Sequence, residues 1–89
     1  MSNIDEQLES VCEKMERIKE DSSIPRNIRE GAKECTELLL DSDDDLDVRI
    51  ASSIFKLEEL ADDPNIPLHG RTLIWNVISQ LESIKDKSS

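Results

Sequence analysis

Few residues in this chain have the means to do chemistry, and they are scattered. His69 is the sole histidine and stands two positions before Arg71, close after Asp62 and Asp63. A helix beginning here would aim its free backbone N–H groups, with the imidazole and the guanidinium, at a small anion. The plainer reading is that the same groups close a turn with the two aspartates. Asp41, Asp43, Asp44 and Asp45 put four carboxylates into five residues, a density that suggests a calcium loop. Counted from Asp41, acids do fall at the first, third and fifth positions. The sixth, where the loop needs Gly, is Leu46, however, and the twelfth, where it needs a bidentate Glu, is Ser52. The run therefore reads as a solvated connector whose last acid, Asp45, caps the helix that follows. Cys12 and Cys35 lack the Cys-x-x-Cys spacing of a redox or zinc site and read as packed, reduced thiols, although a hairpin would set them at similar heights. No Glu is followed three residues later by His, as a di-iron bundle requires. Nucleophile, P-loop, dinucleotide and zinc patterns are absent too. The expectation is a protein without catalytic residues, cofactor or metal.

Composition narrows the partners. Twenty-one acidic and eleven basic residues leave a net charge of −10. The basic residues are not clustered, so a phosphate backbone or an anionic membrane surface is repelled. No apolar run reaches the roughly 20 residues of a membrane-spanning helix, and the first residues lack the pattern of a signal peptide, which points to the cytoplasm. A chain of 89 residues makes one domain with one core.

The elements that must position these groups come from a repeat. Asp21-Ser22-Ser23-Ile24-Pro25 followed by Arg29 returns 42 residues later as Asp63-Pro64-Asn65-Ile66-Pro67 followed by Arg71. At the same offset Asp5 matches Asp47, Lys14 matches Lys56, Glu16 matches Glu58 and Leu39 matches Leu81. Each copy places apolar residues at helical spacing on both sides of a Pro-marked turn. In the first copy Ile4, Leu8, Val11, Met15 and Ile18 draw one seam, with Ser2 or Asn3 as its cap, and Ile28, Ala32, Cys35, Thr36 and Leu39 draw the next. In the second copy the seams are Leu46, Ile50, Ile54, Leu57 and Leu60, then Ile74, Val77, Ile78, Leu81 and Ile84. Pro25 and Pro67 are expected in the first turns of helices two and four, the latter capped by Asn65. Gly31 is a local weakness that permits close helix approach. The spacing predicts an all-α, antiparallel four-helix bundle of two repeated hairpins, about 3–41 and about 46–85, ahead of a fraying tail. The alternative is a pair of stacked, HEAT-like hairpins, because Asp45-Leu46-Asp47-Val48-Arg49-Ile50-Ala51 resembles the start of the second helix in HEAT repeats. Arg29 and Arg71, in matching positions, are expected to reach Asp21 and Asp63 and staple the turns.

Departures between the copies suggest a contact surface. Val48 and Phe55 on helix three, and Leu68 and Trp75 on helix four, lie well off the seams, while their counterparts in the first copy are Glu6, Glu13, Arg26 and Lys33. A second apolar face confined to the second hairpin either meets another copy in a two-fold homodimer or is buried by a skewed bundle.

The run Pro67-Leu68-His69 then Arg71-Thr72-Leu73-Ile74-Trp75-Asn76, with Asp62 to Ile66 before it and Ile24-Pro25-Arg26-Asn27-Ile28-Arg29 in the first copy, resembles a small uncharacterised archaeal family, one of the numbered UPF families. The similarity covers nearly the whole chain. It implies an all-helical bundle from an archaeal cytoplasm and supplies no activity. The reading that emerges is an acidic module acting through protein contacts, most simply with itself. The alternatives are an accessory protein bound to a basic protein of a nucleoprotein complex, and a small-anion binder at His69 and Arg71.

Overall fold

The computed structural model describes residues 4–41 and 43–88. The cap expected of Ser2 or Asn3, Ser42 of the acidic connector, and Ser89 of the tail lie outside the described residues. Four helices, α1 (Ile4–Glu20), α2 (Arg26–Leu40), α3 (Leu46–Ala61) and α4 (Leu68–Ser88), make up the fold, with no strand among the described residues. The longest dimension, 35 Å, is close to the roughly 32 Å that a 21-residue helix such as α4 spans at about 1.5 Å per residue. The helices therefore lie along the long axis of the molecule.

Each helix packs on its neighbour in sequence, and α1 also packs on α4, closing a ring in which the backbones of the diagonal pairs α1/α3 and α2/α4 stay apart. Stacked HEAT-like hairpins would instead align α1 with α3 and α2 with α4. The closed ring is an antiparallel bundle. The end of α1 meets the start of α4, where Asp21 bonds His69, and Lys14 Nζ donates to Gln80 Oε1 further along.

The expected seams supply the core. Val11, Met15 and Ile18 of α1, Ile28, Ala32, Cys35 and Leu39 of α2, Ile50, Leu57 and Leu60 of α3, and Ile74, Val77, Ile78, Leu81 and Ile84 of α4 are all buried. On α3 the central place belongs to Ser53 rather than Ile54, which is only partly buried. Ser53 Oγ donates to the Cys35 carbonyl at 3.5 Å, and Cys35 Sγ lies 3.8 Å from the Ser53 carbonyl. Cys35 thus faces α3, while Cys12 lines a groove with Leu8 and Leu40, and both thiols are free. Burial pushes the Cys35 thiol up to about 12, so it packs as a neutral group.

Three helix starts differ from expectation. Pro25 sits one place before α2, at the cap position, with ψ of 147°, and its carbonyl accepts from the N–H of Ile28 and of Arg29. Pro67 precedes α4 in the same way, its carbonyl accepting from Arg71 N–H, so Asn65 belongs to the turn and is not the cap. Ile24 and Ile66, the residues before the prolines, are disfavoured in helical geometry and stay outside the helices, and both are buried as plugs at one end of the core. Asp45 occupies the cap position of α3, but its side chain makes no capping bond. At the other end of the chain, α4 continues to Ser88, where a tail was expected after about Lys85.

Gly31 is a point of close approach between α2 and α3. A Cβ built there would lie 2.5 Å from Leu60 Cδ2 and 2.9 Å from Cδ1. Helix propensity favours Ala over Gly by about 1 kcal/mol, but overpacking costs about 1–3 kcal/mol. Gly31→Ala is expected to lose about 1 kcal/mol of stability in urea unfolding. In a Leu60→Ala background the same change is expected to stabilise, and a stabilising effect in the otherwise native chain would show that Leu60 yields freely.

Candidate functional site

The repeated turn assembles most of the polar residues that the sequence singles out. In both copies an aspartate organises it. Asp21 Oδ1 accepts the backbone N–H of Ser23 at 2.9 Å, and Asp63 Oδ1 accepts that of Asn65 at 2.8 Å. The carbonyls of Asp21 and Asp63 accept the N–H of Ile24 and of Ile66. This is the local side-chain bonding that makes Asp a turn residue. The second oxygen of each carboxylate reaches the other hairpin. Asp21 Oδ2 accepts from His69 Nε2 at 2.9 Å, and Asp63 Oδ2 accepts from Asn27 Nδ2 at 2.9 Å. Asn27 and His69 are themselves counterparts at the 42-residue offset, so the two ties are one contact made twice across a pseudo-two-fold axis.

The arginines behave differently from expectation. Arg29 Nε donates to the Ile24 carbonyl at 2.9 Å and Arg71 Nε to the Ala61 carbonyl at 3.2 Å. Neither guanidinium makes an ion pair with Asp21 or Asp63, whose oxygens are already engaged by the turn and the opposite hairpin. Arg49, which sequence reasoning missed, does the same for α2, with Nη1 2.8 Å from the Leu39 carbonyl. These carbonyls lie at helix ends or in a turn, where no intrahelical N–H reaches them, and a guanidinium is a strong substitute donor. Arg29 therefore does fasten its turn, through backbone rather than carboxylate. Arg71 fastens the end of α3.

Asp21, Ser23 and His69 come together as a Ser-His-Asp set that the sequence, with Ser23 and His69 46 residues apart, gives no cause to expect. Its geometry is wrong for nucleophilic catalysis. A triad places the hydroxyl on one imidazole nitrogen and the carboxylate on the other. Here the carboxylate and the hydroxyl both lie against Nε2, at 2.9 and 3.2 Å. Nε2 donates to Asp21, so it cannot take a proton from Ser23, whose hydroxyl donates to Asp21 directly. The set also lies on the surface, with the His69 side chain 58% exposed. It is a latch between the hairpins. The same geometry bears on anion binding at His69 and Arg71: the carboxylate of Asp21 already occupies the imidazole, and the Arg71 guanidinium turns away to Ala61.

The four apolar residues set apart by the comparison of copies are all on the surface. Leu68 is 77% exposed, Phe55 65%, Val48 45% and Trp75 44%. The bundle is not skewed to cover them. The two aromatic residues line different depressions. Phe55 lines a groove between α3 and α4 with Ala51, Ile54, Glu58, Glu82, Lys85 and Asp86. Trp75 borders a separate depression with Arg71, Thr72, Asn76 and Ser79. The apolar surface is not confined to the second hairpin either, since Leu38 and Leu40 at the end of α2 are also exposed. Among the described residues no group of three or more His, Cys, Asp or Glu is placed to hold a metal ion, and no helix is long and apolar enough to cross a membrane.

Comparison with known proteins gives a consistent picture. The model of the family described as "Uncharacterised protein family (UPF0147)" matches residues 1–84. The UPF0147 protein of Methanothermobacter thermautotrophicus is 48% identical over 86 residues, which cover 97% of this chain and 82% of that protein. The corresponding protein of Pyrococcus horikoshii is 42% identical over 86 residues, 96% of this chain and 92% of that one. The crystal structure of a UPF0147 protein from Thermoplasma acidophilum superposes with a TM-score of 0.84 at 34% identity, covering 91% of this chain and 96% of that chain.

The Asp21 carboxyl is held down at about 2 by the Ser23 hydroxyl, the Ser23 N–H and His69, in that order of influence. Asp63 is lowered by the Asn65 N–H and then by Asn27. A carboxyl lowered in the folded chain contributes stability that is present above its unfolded value of 3.8 and is lost as pH falls from there towards about 2. Carboxyl titration by NMR is expected to show that His69→Ala raises Asp21 but leaves it below 3.8, because the Ser23 bonds remain. A return to the ordinary value would assign the latch, not the turn, as the main cause. Arg71→Ala is expected to cost about 1 kcal/mol in thermal unfolding without changing helix content.

Proposed function

The chain belongs to the uncharacterised protein family UPF0147, and from that starting point we propose a non-catalytic role exercised through protein contacts, most simply the pairing of two copies through the outer face of α4. The observation that carries this reading is the exposure of Leu68 and Trp75, 77% and 44%, where the counterparts in the first hairpin are Arg26 and Lys33. An indole and a leucine side chain left in water at the same face cost solubility unless something covers them.

A two-fold contact needs a surface that complements itself. The residues around Trp75 support such a contact through their size and charge. The indole projects beside the small side chains of Thr72 and Ser79, so that a second copy, reversed, sets its own indole against them. No carboxylate borders this depression, and Arg71 and Asn76 complete it. Two copies of a chain with net charge −10 can therefore meet here without setting acidic side chains against each other.

The absence of an activity from this reading is supported by the latch geometry, in which Asp21 and Ser23 claim the same nitrogen of His69. A cytoplasmic setting belongs to the same proposal.

Sedimentation equilibrium at micromolar concentration is expected to give twice the 10.1 kDa chain mass. Trp75→Ala should return the mass to that of one chain with unchanged helical circular dichroism, because a side chain this exposed supports little of the core. A native protein with the mass of one chain overturns the pairing.

A further inference from the structure

We infer that the groove between α3 and α4 is a docking site for a basic amphipathic helix of another protein. The assignment presupposes the protein-contact reading of the second hairpin but not the pairing of two copies through Trp75. The apolar part of the groove floor is made by Ala51, Ile54 and Phe55 on α3. Ala51, Ile54, Phe55 and Glu58 on α3 follow one another at steps of three, one and three residues, so the groove runs along the helix for about 10 Å at about 1.5 Å per residue. The small Ala51 beside the 65%-exposed Phe55 leaves a notch next to a ridge. A helix laid alongside presents apolar side chains at the matching i, i+3, i+4 and i+7 positions.

Charge identifies the occupant. Glu58 stands on the α3 wall, Glu82 and Asp86 on the α4 wall, and Lys85 is the only cation among the seven lining residues. Three carboxylates against one ammonium repel a second copy of this acidic chain, because like charges set opposite each other cost several kcal/mol at an interface. They repel nucleic acid for the same reason. A helix with Lys or Arg on both flanks of an apolar stripe places its cations on both walls while its apolar side chains cover Phe55. The two exposed aromatic residues thereby have different covers: the Trp75 depression, which has no carboxylate, suits a second copy, and the Phe55 groove suits a cationic partner.

The test uses a fluorescent amphipathic peptide of about 18 residues, long enough for five helical turns, built from Leu on one face and Lys on the other. Anisotropy titrations are made with the full chain at about 50 mM and about 300 mM salt, across which surface charge attraction is increasingly screened. Phe55→Ser removes the floor and Glu58→Lys with Glu82→Lys removes the walls. Glu9→Lys with Glu13→Lys on α1 makes the same change in net charge away from the groove. Saturable binding at low salt is expected, weakened about tenfold by Phe55→Ser and by the wall pair, about 1.4 kcal/mol each, with the α1 pair within about threefold of native. Absence of saturable binding, equal losses in the wall and α1 pairs, or no loss in Phe55→Ser overturns the assignment. Circular dichroism confirms that each variant is folded. Loss of peptide binding with the paired mass intact would remove the groove and leave the pairing, and retained peptide binding by a single-chain species would do the reverse.

Discussion

Neither hairpin can bury its apolar seams alone, and everything else in this protein follows from that constraint. Two antiparallel helices cover only one flank of each stripe. Closing α1 against α4 removes Val11, Ile18, Val77 and Ile84 from water together with the α2/α3 core. The ring of four helices packs all four stripes against one another in a single core.

Closure brings polar ends together, and the two turns deal with them economically. Each carboxylate of Asp21 and Asp63 shapes its own turn with one oxygen and ties the opposite hairpin with the other. Arg29, Arg49 and Arg71 then satisfy the carbonyls that the turn and the helix ends leave without an N–H. The residues with the greatest chemical potential in the sequence are thus consumed by architecture. That accounts for a Ser-His-Asp set with the wrong connectivity: it was assembled by packing, with both oxygen groups drawn to the single nitrogen that faces them.

The duplicated chain is symmetric where the fold requires it and asymmetric where it faces water. Turn, plug isoleucine and cross-hairpin tie recur in both halves. The middle of the α2/α3 seam, by contrast, carries Cys35 and Ser53, where the α1/α4 seam carries their counterparts Val77 and Val11. The outer faces diverge further: the positions of Val48, Phe55, Leu68 and Trp75 on the second hairpin are charged on the first, where Leu38 and Leu40 are exposed instead.

Sequence alone determined the four helices, most of the core and the existence of two like turns, because apolar period and proline steric limits act locally and are written in residue order, whereas the burial of Ser53, Ile24 and Ile66 was decided by packing. The family resemblance was legible in the same stretches. What tertiary structure decided is which partner each polar group takes. Arg29 and Arg71 carry the same charge whether they meet a carboxylate or a carbonyl, and only closure showed the carboxylates already engaged. Asn27 was legible in principle, as the counterpart of His69 at the repeat offset, but only once His69 was seen to cross between hairpins. Likewise the angle around a helix axis placed Phe55 and Trp75 off the seams, yet whether they shared one patch depended on how α3 and α4 turn relative to each other. That rotation is set by how the core side chains of the two helices fit together, contacts between residues far apart in the chain that no local pattern records.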